Sequence, residues 1–286
     1  MSAWYESQAT AGIRAVMETG PVANAAQRLQ MTGLRHFPLA AERDLDIKQE
    51  SPLAVVVLAH GGWSAAWAWR KIRPLMAAAG HEFFAPTYTG LGERAHLANP
   101  RNDLDLHIGD VLGVVRCEDL HNVMLIGHSY GGIVATGVAD QARDRVAKLI
   151  YLDAFVPEDG QALIDFLPAS ERERLLGSAK SGDGWGVTPN PIPPDTSPED
   201  VEWITRFRMA QSVNCFKQPI RLSTALTLPR YYIHCTRFAD QTPFTQFAKA
   251  ARAAGWPVYE LNASHSPNVT APLELMQILQ QAIVQE

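Results

Sequence analysis

The run Leu53-Ala54-Val55-Val56-Val57-Leu58-Ala59 is apolar at every position and rich in β-branched side chains. A strand with one wet face alternates polar and apolar residues. An unbroken run therefore predicts a strand covered on both faces, as in a parallel sheet flanked by helices. The rest of the chain follows suit. His81–Tyr88, Asn122–Ile126, Val146–Phe155, Arg230–Cys235 and Val258–Asn262 read as further strands. Helical patterns at Trp67–Ala79, Asp105–Cys117, Gly132–Ala139, Phe244–Ala254 and Ala271–Val284 fall between and after them. Gly80 and Gly255 follow two of these helices, where a left-handed residue closes the last turn. Strands alternating with helices predict an α/β architecture, a doubly wound and mostly parallel sheet.

Two stretches break the alternation. Residues 1–50 carry a helical extension over roughly 1–33, then a connector ending in the charged segment Ala41–Lys48. This extension covers the core or contacts a second copy in a homo-oligomer, and both readings stand. Residues 156–225 are too long for a plain loop and hold Pro189, Pro191, Pro193, Pro194 and Pro198. They predict a cap inserted into a core made of residues 51–155 and 226–286. Its aromatics Trp185, Trp203 and Phe207, with Trp63 from the core, are candidates for lining a substrate site. The alternative is that they form the cap's own small core.

Composition excludes several function classes. At 286 residues, 47% hydrophobic and 19% charged, the chain is ample for one large globular core. A formal net charge of −5 and the lack of a basic cluster argue against a nucleic-acid partner. No apolar run is long enough to span a membrane, and the N-terminus lacks the pattern of a secretory signal, so a cytoplasmic protein is expected. The three cysteines, Cys117, Cys215 and Cys235, have neither paired nor metal-ligand spacing and read as free buried thiols. The nine histidines form no metal motif, and no Gly-x-Gly-x-x-Gly follows a strand to open a helix. No metal and no cofactor is implied.

Chemistry concentrates at Gly127-His128-Ser129-Tyr130-Gly131, between an apolar strand and a small-residue helix. Alone, Gly-x-Ser-x-Gly describes a tight turn. Between strand and helix it describes an elbow that pushes a serine out over the sheet edge, with glycines where backbones crowd. A serine hydroxyl needs a base in hydrogen-bond reach, and the base needs an orienting acid. His265, just past the last strand, is the candidate base. Asp240, in the loop after Arg230–Cys235, is the favoured acid, and Asp153, at the end of the preceding strand, is the alternative. The backbone N–H groups of Gly62 and Tyr130 are candidates for an oxyanion hole. His60 and His128 flank the site as organising residues, and His128 is also a candidate substrate contact.

With these residues in view, His60-Gly61-Gly62-Trp63, Trp67-Ala68-Trp69, Gly127–Gly132 and Tyr151–Pro157 resemble one branch of the α/β-hydrolase fold. It is the branch of plant methylesterases, the salicylate-binding esterase, hydroxynitrile lyases and many bacterial esterases. Thr89-Gly90-Leu91-Gly92-Glu93-Arg94 is similar to the bacterial members in particular. The resemblance covers about residues 53–286. It implies a triad on Ser129, Asp240 and His265 and oxyanion donors at Gly62 and Tyr130. The lyases lean on a threonine and a lysine at positions that are Gly61 and Ser266 here, so cyanide chemistry is disfavoured. The expectation is a cofactor-free serine hydrolase acting on largely apolar carboxylic esters of moderate size, losing activity on the acid side as the base protonates. Amidase, lactonase, carbon–carbon hydrolase or cofactor-free dioxygenase chemistry on the same triad remains open. So does a non-catalytic binding role on the same fold.

Overall fold

A computed structural model of the chain describes residues 53–285. The expectations for residues 1–50 lie outside the described residues. The strands β1 (Val55–Ala59), β2 (Glu82–Phe84), β3 (Val123–His128), β4 (Val146–Leu152), β7 (Arg230–Cys235) and β8 (Val258–Leu261) form one sheet in the order β2-β1-β3-β4-β7-β8. Every ladder in this sheet is parallel. The remaining strands, β5 (Gly186–Val187) and β6 (Gln211–Ser212), form a separate antiparallel pair.

Parallel strands need crossovers, and helices supply them on both faces. Side chains alternate sides along each strand, so Val57 and Ala59 face one core and Val56 and Leu58 the other. The first core packs against α2 (Leu104–Cys117), α3 (Gly131–Gln141) and α7 (Thr245–Ala253). The second packs against α1 (Ile72–Ala78) and α8 (Pro272–Val284). Both faces are dry, which accounts for the unbroken apolar run at β1.

The elements between β4 and β7 stand outside this sheet. They include α4 (Ala169–Ser181), α5 (Pro198–Phe207), the β5–β6 pair and α6 (Asn214–Lys217). Three expected elements are shorter than the sequence pattern predicts. Ala85-Pro86 follows β2 at once, and proline cannot donate to a ladder. β4 ends at Leu152 because Asp153 turns to a φ of +41°. The segment expected as one helix from Trp67 splits into a 3-10 turn at Ala66–Trp69 and α1. No helix among the described residues is long and apolar enough to cross a membrane. All three cysteines are free, but Cys117 is exposed at the end of α2 rather than buried as expected.

Candidate active site

The sheet order places a topological switch between β1 and β3. The chain leaves β1 toward β2, then returns to the other side of β1 as β3. Loops after these two strands diverge and leave a crevice at the C-terminal sheet edge, where α/β sheets gather ligands. The loop after β1 is His60–Trp63, and the turn after β3 is Ser129–Tyr130.

The turn is tight enough to require its glycines. A Cβ on Gly131 would sit 2.0 Å from the Ala59 carbonyl oxygen, and one on Gly132 2.2 Å from that of Phe155. A Cβ on Gly127 would meet the Gly131 oxygen at 2.7 Å. Ser129 itself has a φ of +56°, an unfavourable conformation for a side-chain-bearing residue. It persists because the strand ends staple it. Its N–H donates to the Leu152 carbonyl at 3.2 Å, and its own carbonyl accepts from Gly132 at 3.0 Å and Phe155 at 3.2 Å.

Ser129 Oγ lies 2.8 Å from His265 Nε2, and His265 Nδ1 lies 2.7 Å from Asp153 Oδ2. With the carboxylate accepting, Nδ1–H is the donor, and Nε2 is left to accept from the serine hydroxyl. The imidazole is partly exposed, whereas Asp153 is 1% exposed. Asp153 Oδ1 accepts the Cys235 N–H at 3.1 Å. The face of His265 is stacked by Phe244, with centroids 4.5 Å apart and planes 9° apart.

This arrangement corrects the favoured acid. Asp240 sits exposed on a short turn, Ala239–Gln241, and His265 takes its carboxylate partner from the end of β4. The physical reason lies in the neighbouring strand ends. Leu152 pairs with His128 in the ladder, so the next residue, Asp153, lands beside Ser129, and its positive φ turns the chain out of the sheet there. The loop after β7 presents the Phe244 ring to His265 instead of a carboxylate.

The loop after β1 packs against the turn after β3 at the residues expected to supply oxyanion donors. A Cβ on Gly62 would lie 3.6 Å from Tyr130 Cβ, and one on Gly61 would lie 3.3 Å from Ser129 Cβ. Among the described residues, neither the Gly62 nor the Tyr130 N–H has a protein acceptor. Tyr130 also precedes α3, so its amide sits at the positive end of a helix dipole.

Three histidines surround this centre, and burial pushes all three down. His60 is lowered to about 4, its Nδ1 bonded to the Gly61 carbonyl at 2.9 Å and its Nε2 accepting the Tyr88 N–H at 3.2 Å. His107 is lowered to about 3, by burial first and then by His60 nearby, and its Nδ1 accepts the Tyr130 hydroxyl at 2.9 Å. His128 is lowered to about 3, by burial first and then by His265 nearby, and its Nε2–H donates to the His265 carbonyl at 2.8 Å. They are neutral braces at neutral pH. The Thr89–Arg94 motif braces the same wall. Arg94 reaches the Thr87 carbonyl at 3.1 Å and Asp110 at 2.8 Å, and Asp110 also takes the Thr89 N–H at 2.6 Å.

The aromatic candidates separate. Trp63 gives its indole N–H to the Val187 carbonyl at 2.9 Å and its backbone N–H to Gln211 Oε1 at 2.8 Å. Trp185 lines a small crevice with Leu91, His107, Gln211 and Cys215, and that lining includes neither Ser129 nor His265. Trp203 and Phe207 lie on α5, where Trp203 is buried in a small cluster with Ile204 and Val269 and Phe207 is exposed. Both meet Trp67, and the Arg70 guanidinium covers Trp203 at 3.5 Å. Lys71 holds the same helix through Asp200 at 2.7 Å. Phe244 and Gln211 were not singled out from sequence. The short β6 holding Gln211 has no periodicity to flag it. Among the described residues no cluster of three or more His, Cys, Asp or Glu could hold a metal ion.

Comparison with known proteins agrees with this fold. The model of the alpha/beta hydrolase family matches residues 56–278. A carbendazim hydrolyzing esterase of Nocardioides sp. is 35% identical over 239 residues, covering 79% of this chain and 98% of that protein. The polyneuridine aldehyde esterase of Rauvolfia serpentina is 26% identical over 185 residues, 60% of this chain and 65% of that protein. Among solved structures, an extracellular alpha/beta-hydrolase from a Paenibacillus species has a TM-score of 0.71 at 24% identity, covering 81% of this chain and 99% of that one. Fold, sheet-edge site and sequence similarity converge: the chain belongs to the alpha/beta hydrolase family, among its esterases.

Proposed function

We propose that the protein hydrolyses small carboxylic esters through an acyl-enzyme on Ser129. The observation that carries this reading is the single imidazole bridging Ser129 Oγ and Asp153. His265 Nε2 takes the hydroxyl proton as Oγ attacks the ester carbonyl. Asp153 holds Nδ1–H and stabilises the imidazolium that forms. The Gly62 and Tyr130 N–H groups receive the oxyanion. The imidazolium then protonates the leaving alkoxide, so the alcohol departs and the acyl group stays on Ser129. A water activated by the same imidazole attacks the acyl carbonyl and releases the acid, returning the proton to Ser129.

Ester hydrolysis is favoured over cyanohydrin cleavage because Ser266, after the catalytic histidine, offers no cation to a departing cyanide, and because the space around Gly61 is tight. A Cβ there would lie 3.1 Å from His128 Nδ1 and 3.3 Å from Ser129 Cβ, so a threonine would crowd both. The relatives' names support esters as the substrate class, and the free thiols suit the reducing compartment of a cytoplasmic enzyme.

The test is an ester panel varying acyl and alcohol size, with Ser129→Ala as the blank, alongside fluorophosphonate labelling read by peptide mass. Labelling at Ser129 and loss of turnover in the variant are expected. Full turnover in Ser129→Ala would refute the reading.

A further inference from the structure

Gly62 has no side chain to fix it, yet the proposed oxyanion site needs its N–H in one place. The structure restrains the residue on each side. Before it, His60 Nδ1–H donates to the Gly61 carbonyl at 2.9 Å. After it, Trp63 sits at a φ of +56°, a conformation that a bulky side chain holds only under outside restraint. That restraint comes from the segment between β4 and β7. Gln211 Oε1 accepts the Trp63 N–H at 2.8 Å, and the Val187 carbonyl accepts its indole N–H at 2.9 Å. Val187 and Gln211 are directly paired across the β5–β6 ladder. One pair of residues therefore grips Trp63 at both of its donors. Phe216, from α6, packs against the same indole at 5.2 Å. Gln211 is 2% exposed, so water does not compete for its oxygen.

We infer that Gln211 is a positioning residue for the oxyanion hole: the β5–β6 pair fixes Trp63, and through it the Gly62 N–H. By occupying the Trp63 N–H, Gln211 also takes that amide out of competition with Gly62. The inference rests on the ester-hydrolase reading above. It adds that the inserted segment does more than cover the site, because it completes the electrostatics of the reaction. A clamp of this kind acts on the transition state more than on ground-state binding.

The experiment compares wild type with Gln211→Met, which keeps length but loses the acceptor, and Trp63→Phe, which keeps the ring but loses the indole donor. Each is assayed well below its melting temperature for kcat and KM on one ester, and for affinity toward a boronic acid that mimics the tetrahedral adduct. Gln211→Met is expected to lower kcat about 10- to 100-fold, less than the ~10²–10³-fold cost of deleting an oxyanion donor, with KM within about threefold. Boronate affinity should fall in parallel with kcat/KM. Trp63→Phe should lose about two- to tenfold in the same pattern. If Gln211→Met does not fold, Gln211→Asn, whose shorter side chain withdraws the acceptor from the Trp63 N–H, is read in its place against the same outcomes. Unchanged kcat and boronate affinity would overturn the inference, as would a rise in KM with kcat intact. Wild-type enzyme that neither turns over esters nor labels at Ser129 would instead refute the esterase reading itself.

Discussion

The ends of β4 and β7 lie side by side in the sheet, with Leu152 paired to Ile233, and each is followed by an aspartate within a few residues. They serve His265 in different ways. β4 stops abruptly, and Asp153 at a φ of +41° delivers a buried carboxylate to the imidazole edge. β7 continues to Cys235, whose N–H secures that carboxylate, and its loop then brings Phe244 over the imidazole face. One strand end supplies the charge, and the other holds the charge and packs the ring. The aspartate that meets the imidazole directly follows its strand and is turned out of the sheet by its positive φ, whereas Asp240 lies further on, in an exposed turn of its own.

The sharpest way to break this comparison is Asp153→Asn. An amide keeps the shape but can present N–H to Nδ1 and favour the wrong tautomer, so kcat should fall about 10³- to 10⁴-fold with the fold intact by circular dichroism. A variant with near-normal turnover would return the role to another carboxylate. Phe244→Leu removes the stacked face but leaves both hydrogen bonds. It should lower kcat about three- to tenfold, because a looser imidazole spends less time aligned. An unchanged kcat would mean that Asp153 alone orients the ring.

The same contrast extends to the imidazoles at this edge. His265 is partly open to solvent and tied to a carboxylate, whereas His60, His107 and His128 are sealed and pushed down to about 4, 3 and 3. In the unfolded chain each of the three binds a proton below about 6.5. Their lowered values therefore cost no stability above that pH, and stability is lost as pH falls from about 6.5 toward 4. The limit is about 1.4 kcal/mol per pH unit for each ring. Denaturant titrations from pH 7 to 4 should show this slope, and His107→Gln should make it shallower by up to one proton. The smallest effect belongs to Asp240→Asn. The side chain is exposed and has no part in the triad, so turnover should stay within about twofold of wild type. A large loss there would reverse the assignment.

Much of this architecture was legible in the chain. Arg230–Cys235 and the helices around Asp105, Phe244 and Ala271 follow the sequence pattern to within a residue or so, because the strand is buried nearly along its length and each helix buries one face at helical spacing. The elbow was legible because Gly131 and Gly132 face carbonyl oxygens at distances no Cβ tolerates. The acid was not, since the exact end of β4 and the turn at Asp153 are not encoded in the local apolar pattern, which runs on to Phe155. The contacts of Trp203 and Phe207 with Trp67, and of Trp203 with Arg70, were also hidden, because a helix pattern does not say which neighbour an aromatic meets. Gln211 was invisible for a related reason: its value lies in a hydrogen bond across 148 residues of chain.

Proton NMR of the low-field Nδ1–H resonance of His265 tests the Asp153 assignment most directly. A short hydrogen bond from Nδ1 to a buried carboxylate shifts this proton well downfield. The resonance should be present in wild type and in Asp240→Asn, and absent or moved far upfield in Asp153→Asn. A resonance that survives in Asp153→Asn and disappears in Asp240→Asn would contradict it.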